Sequence, residues 1–295
     1  MALRERDLAV LRALIEARGK HEELAELLDF YHDLYQVQFE AKASLPELQV
    51  RDELAMRWRL EGGIPQLSFG QLALDSEFFA GLVAQVVDVL GRHNPAWESM
   101  LLERSAHEQV ALAKEVFETW DTLTSPKPEL ERHGSEPAVD QPQGLAVGFA
   151  LAPYLQRASD VILPNLDLTL WSQGHCPVCG GRPNFALLEE ERGARRLMCS
   201  RCNCLWPYAR VGCPFCESKE KQVYYPSEDG VYRLYVCPSC NDYLKTMDLR
   251  GVFREVHPVV ERLLTVGMDL AAKQEGFGEA SNSTTELGRD DQEMD

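Results

Sequence analysis

Three observations predict an α+β multidomain chain, all-α in its first half and ribbon-like in its second. Apolar residues recur at helical spacing over residues 7–158, all nine cysteines crowd between Cys176 and Cys240, and one more helical stripe follows them. The expected architecture is an N-terminal helical domain, two tandem four-cysteine modules of the rubredoxin-like or zinc-ribbon kind, and a closing C-terminal helix. In numbers, the helical domain covers 1–165, the ribbons 166–210 and 211–250, the closing helix 251–274, and an acidic, disordered tail 275–295.

The helical domain reads in order. Leu8, Leu11, Leu14 and Ile15 share one face of a first helix over 7–17. Between 22 and 42, Leu24, Leu27, Leu28, Tyr31, Leu34, Tyr35, Gln38 and Phe39 keep the i, i+3, i+4, i+7 rule, and Pro46 ends the run. A weaker helix near 50–60 runs into the turn Gly62-Gly63-Ile64-Pro65. Asp75 and Ser76 are N-cap residues for a helix over 76–92, with Phe78, Phe79, Leu82, Val83, Val86, Val87 and Leu90 in a wide apolar stripe. A further helix is expected over 97–121, an exposed proline-rich loop over 123–143, and a last helix over 144–158. The histidines of this half, His21, His32, His93, His107 and His133, lie at no metal-ligand or triad spacing.

Eight cysteines form four C-x-x-C knuckles: Cys176/Cys179, Cys199/Cys202, Cys213/Cys216 and Cys237/Cys240. Such a knuckle turns two sulfurs to one side of a tight loop, and two knuckles joined by a hairpin make a tetrahedral four-thiolate metal site. Nineteen residues separate the first two knuckles and twenty the last two, both within the range of such ribbons. The halves also repeat: His175-Cys-Pro-Val-Cys-Gly answers Gly212-Cys-Pro-Phe-Cys-Glu. The repeat favours pairing first with second and third with fourth; a cross-braced arrangement, first with third, is the alternative that spacing leaves open.

Disulfides would need an oxidising compartment, and no secretory leader or membrane span is expected, so the reading is cytoplasmic. Cys204 stands outside the knuckles and is read as a small buried thiol. Hairpins are expected from Asn184–Leu188 with Arg195–Met198 and from Gln222–Tyr225 with Tyr232–Val236, the second closed by Asp229-Gly230. Most of the nine aromatic residues around the knuckles are assigned to shielding the metals. A closing helix is read over 255–273 from Val259, Leu263, Leu264, Met268 and Leu270.

Charge bounds the partners. Net charge is −17, made of −13 over residues 1–170, +2 over 171–250 and −6 over 251–295. A nucleic-acid-binding ribbon needs a basic footprint, and here the flanking domain is strongly acidic, though local clusters such as Arg192, Arg195, Arg196 and Arg201 could make a small patch. Nucleic acid is therefore the third reading, behind a rubredoxin-like electron carrier or thiol redox protein. No nucleophile motif, phosphate loop or carboxylate pair marks a catalytic centre, so no catalytic residue is named and the chain is read as not an enzyme.

The helical half ahead of four ordered knuckles, Trp206 and Arg210 between the second and third, and three stretches carry a resemblance. These are Leu197-Met198-Cys199-Ser200-Arg201-Cys202, Cys237-Pro238-Ser239-Cys240-Asn241-Asp242-Tyr243-Leu244-Lys245, and Gln274-Glu275-Gly276-Phe277. Together they resemble the FdhE-type formate dehydrogenase accessory proteins over nearly the full length. The resemblance implies a cytoplasmic assembly factor that binds the catalytic subunit of respiratory formate dehydrogenase before twin-arginine export. It implies two metal ions, iron favoured with zinc as the alternative, held by Cys176, Cys179, Cys199, Cys202, Cys213, Cys216, Cys237 and Cys240. It leaves self-association open. Cys204 and the residues after Phe277 depart from the family pattern.

Overall fold

The structure, a computed structural model, describes residues 3–97, 104–119 and 142–278. Its helical part comprises α1 (Glu5–Lys20), α2 (Ala25–Ser44), α3 (Glu53–Glu61), α4 (Ser76–His93), α5 (Ala106–Thr119) and α6 (Pro142–Ile162). Helix α4 packs on α2, α5 and α6 and forms the centre of the bundle. Asp75 starts it by accepting a hydrogen bond from the Phe78 amide at 2.8 Å, which satisfies a donor that the helix itself cannot. Phe79, Leu82, Val83, Val86, Val89 and Leu90 are buried. The expected stripe was one residue too wide on its N-terminal side: Phe78 is exposed, and Val89 takes a core place instead.

The last helix of the bundle is longer than the sequence reading, and the helix expected over 97–121 is described only in part. Ala96 and Trp97 are helical, as expected, and a reciprocal cap between Ser105 and Glu108 starts α5 at Ala106 within the expected span; residues 98–103 and 120–141, and with them most of the expected loop, lie outside the described residues. Helix α6 begins at Pro142, where a missing N–H costs nothing. It runs on to Ile162 through Pro153 and is buried on most sides.

The second half holds a six-stranded sheet: β1 (Pro183–Leu188), β2 (Arg195–Cys199), β3 (Leu205–Tyr208), β4 (Val223–Pro226), β5 (Tyr232–Val236) and β6 (Tyr243–Asp248). Its order is β3-β2-β1-β6-β5-β4. Each ribbon supplies three antiparallel strands, and β1 joins β6 in parallel, Phe185 opposite Lys245 and Leu188 opposite Asp248. The internal repeat of the sequence thus becomes two triplets side by side in one sheet. The split at 210/211 crosses a continuous sheet, because β6 covers the β1 edge that an isolated first ribbon would leave open.

Strands β3 and β6 were not anticipated. Tyr243-Leu244-Lys245 reads as an exit from the last knuckle, yet it opens a central strand with a buried lysine. Lys245 Nζ is satisfied by Asp269 at 2.5 Å and by the Arg262 carbonyl at 2.9 Å. The expected closing helix is two, α7 (Pro258–Leu264) and α8 (Val266–Gln274), broken at Thr265. Helix α7 packs against α1, carrying Val260 and Leu263 into a core with Leu11, Leu14 and Leu28. The tail beyond 278 lies outside the described residues. No helix among the described residues is long and apolar enough to cross a membrane.

Candidate metal centres

All four knuckles share one backbone construction. The amide of each leading cysteine donates to the carbonyl five residues on: Cys176 to Gly181, Cys199 to Cys204, Cys213 to Ser218 and Cys237 to Asp242, at 2.8–2.9 Å. The residue after each second cysteine then turns left-handed: Gly180, Asn203, Glu217 and Asn241 have φ of 75°, 58°, 60° and 60°. Glycine and asparagine tolerate that region. The tight turn leaves inner amides aimed at sulfur, with Arg201 N–H 3.4 Å from Cys199 Sγ and Phe215 N–H 3.4 Å from Cys213 Sγ.

The knuckles close in sequence order. Cys176, Cys179, Cys199 and Cys202 form one group and Cys213, Cys216, Cys237 and Cys240 a second, the sulfurs of each group lying within 4.8 Å of one another. Neighbouring sulfurs stand 3.5 Å apart in the first group and 3.6–3.7 Å in the second. A regular tetrahedron with metal–sulfur bonds of about 2.3 Å has edges of about 3.8 Å, so both groups fit a four-thiolate ion. Four sulfur donors suit zinc and iron alike.

The arrangement agrees with comparisons to known proteins. A family model described as the FdhE central domain matches residues 175–210, which is the first ribbon. A protein FdhE homolog of Aquifex aeolicus is 26% identical over 281 residues, covering 93% of each chain. The protein FdhE of an Escherichia coli strain is 24% identical over 227 residues, 68% of this chain and 72% of its own. The crystal structure of the FdhE protein from Pseudomonas aeruginosa shares the fold, with a TM-score of 0.62 at 22% identity over 94% of both chains. The chain is thus similar to FdhE proteins over nearly its whole length.

The two groups sit in different surroundings. The first is part of the core of the helical half: its four sulfur-bearing residues are 0–4% exposed and share one apolar cluster with Phe79, Leu151, Trp171 and Trp206. The loop after α3 pairs with the first knuckle, Gln66 and Leu67 amides donating to the Pro177 and Val178 carbonyls at 2.9 and 2.8 Å. Trp171 and Trp206 seal it through hydrogen bonds to the His175 and Gln173 carbonyls. The second group lies at the protein surface, with Cys216 exposed and Cys240 half-buried.

Electrostatics follow the surroundings. Burial pushes the Cys176 and Cys202 thiols well up, while hydrogen bonds from Cys176, Cys199 and Cys202 hold the Cys179 thiol well down; a cation there would offset the cost of charging the buried pair. In the second group, a hydrogen bond from Cys240 draws Cys213 down to about 5, while the Cys240 thiol is pushed up.

Several residues weighed in the sequence take other roles. Arg195 and Arg201 are buried; Arg195 bonds the Gly212 carbonyl at 2.7 Å and Arg201 lies over the Phe117 ring. The four-arginine patch therefore does not form on the surface. Cys204 is buried beside the first group without being one of its four, and its carbonyl closes the second knuckle. Phe185 and Trp206 are fully buried, whereas Tyr224 and Tyr225 on the edge strand β4 are half exposed. Sequence reasoning missed Arg182 and Asp242, which join the two groups; their only signal is that each closely follows the second cysteine of a knuckle.

Proposed function

We propose that this chain is an accessory factor in the formation of formate dehydrogenase, one that holds the catalytic subunit of that enzyme in the cytoplasm before twin-arginine export. Similarity to FdhE proteins over nearly the whole chain supports the reading. The observation that carries it to a binding role is the use of eight thiols in two complete four-sulfur groups, which leaves no open coordination position of the kind a catalytic metal needs.

Cys176, Cys179, Cys199 and Cys202 would hold one ion and Cys213, Cys216, Cys237 and Cys240 the other, with iron favoured over zinc. Such an ion supplies a rigid cross-link and, as iron, one-electron chemistry. The protein's own residues do the rest: the first group fastens ribbon to bundle, and the continuous sheet carries the second. Where α1 meets the second ribbon and α7, a cleft of about 520 Å³ is lined by Arg12, Lys20, Asp229, Tyr232, Arg254 and Glu261. This groove between the helical half and the ribbons is the client surface we assign.

The test is a tagged chain expressed in cells that make formate dehydrogenase. The expected outcome is co-purification of the catalytic subunit, and loss of formate dehydrogenase activity without loss of subunit synthesis when the gene is deleted. Unchanged activity in the deletion strain would contradict the reading. Exposure of Cys216 favours a second reading, a rubredoxin-like electron carrier; reversible reduction by a physiological donor would support it.

A further inference from the structure

We propose that the two four-cysteine groups differ in kind: the first is a permanent fastener, and the second is an exchangeable metal site that opens at Cys216. The proposal rests on the reading that both groups hold metal. In the first group every sulfur lies inside the core shared with the bundle, and the backbone of the first knuckle is paired to residues 66 and 67. A competing ligand could reach those sulfurs only after the ribbon had left the bundle.

The second group presents a different face. Cys213 and Cys237 are buried, but Cys216 is exposed and Cys240 partly so. On the solvent side, the third and fourth knuckles are tied by side chains alone: Ser239 Oγ bonds Ser218 Oγ and Glu220 Oε2, each at 2.9 Å and each exposed. Bonds of that kind open readily, because water replaces them at little net cost. The neighbouring strand β4 is an outer edge with all four residues exposed. The inner side, in contrast, is fixed by Phe215 under Arg182 and by Asp242.

Exchange would therefore begin at Cys216. An incoming thiol or chelator donates to the ion, the Cys216 sulfur leaves as thiolate and takes a proton from water, and the other three follow. No electron moves in this sequence. The second ribbon could then load and unload while the first keeps the chain folded, which gives the client-binding face a state that depends on metal supply.

The experiment uses full-length chain loaded anaerobically with zinc and challenged with excess 4-(2-pyridylazo)resorcinol. The expected result is release in two phases of one equivalent each, separated by roughly 10–100-fold in rate, the range by which supporting contacts change metal binding. In Cys216→Ser the fast equivalent is absent, while the slow one and the helical circular dichroism remain. Brief alkylation of the loaded wild type, mapped by mass spectrometry, should mark Cys216 ahead of the other seven. Two equivalents leaving in a single phase, or alkylation that marks another cysteine ahead of Cys216, would overturn the proposal and leave the two-site reading intact; a fast equivalent that survives in Cys216→Ser would overturn both. Uptake of fewer than two equivalents at the outset would overturn the two-site reading, and this proposal with it.

Discussion

Arg182 donates from Nη2 to Asp242 Oδ2 at 3.0 Å, linking the exit of the first knuckle to the exit of the last. The same residue reaches all four knuckles. Its carbonyl accepts from the Ser200 amide inside the second at 3.0 Å, and its guanidinium lies 4.5 Å from the Phe215 ring centre in the third. Both charged groups are largely buried, with side chains 10% and 15% exposed. Truncating one member leaves the other charge without a partner, which costs about 3–5 kcal/mol for a buried pair. Arg182→Ala should lower the denaturation midpoint accordingly and speed metal loss from the second group while leaving the first unchanged. Arg182→Lys should recover only part of this, because a lysine lacks the flat face that stacks on Phe215.

Gly174 and Pro214 set the distance between the ribbons. A Cβ built on Gly174 would lie 1.8 Å from the Pro214 carbonyl oxygen, and backbone cannot move aside as a flexible side chain can. Gly174→Ala should destabilise the chain by about 3 kcal/mol, the upper part of the range for overpacking. Chelator kinetics should show the second group more labile than in the wild type.

The N-terminal end of the bundle carries a buried lysine. Lys42 Nζ lies 2.5 Å from Asp7 and 3.6 Å from Asp160, and burial, only partly offset by the Asp7 hydrogen bond, pushes its pKa down to about 8. A lysine lowered on folding binds fewer protons in the folded than in the unfolded state between its two pKa values. This contribution to stability therefore rises with pH from about 8 to about 10.5, on the order of 3 kcal/mol in all. Urea denaturation at pH 7.5 and 9.5 should show the rise in the wild type, and Lys42→Met should lack it. The variant should also be less stable at neutral pH, because Asp7 loses its close partner.

Asn241 fastens the C-terminal turn to the second group. It stands left-handed just after Cys240, its Nδ2 donates to the Gly276 carbonyl at 2.6 Å, and its own carbonyl accepts from the Gly278 amide at 2.9 Å. Phe277 then stacks on the half-exposed Tyr225. Asn241→Ala should cost about 1–2 kcal/mol through the lost hydrogen bond and the left-handed strain on alanine. Hydrogen exchange should rise at residues 275–278 and little elsewhere.

What was legible in the sequence follows from how local each signal is. The cysteine knuckles are short-range devices: their spacing marked the eight sulfurs, and the internal repeat favoured the consecutive grouping that the structure has. Helices α2 and α4 were legible because their apolar stripes are long. Strand β6 was not, because its buried Lys245 depends on Asp269 and the Arg262 carbonyl, more than fifteen residues away. Its partner β1 lies some sixty residues upstream, so the fusion of the two ribbons into one sheet has no local mark. The unequal burial of the two groups is likewise a long-range result: the first meets the loop after α3, and among the described residues nothing comparable covers Cys216.

The central claim is that two separate four-thiolate sites are made by consecutive knuckle pairs. Native mass spectrometry of anaerobically purified chain and of three single variants tests it most directly. The account predicts two metal ions in the wild type and in Cys204→Ser, and one in Cys216→Ser and in Cys237→Ser. A single ion in the wild type, or two ions retained after either substitution in the second group, would contradict it.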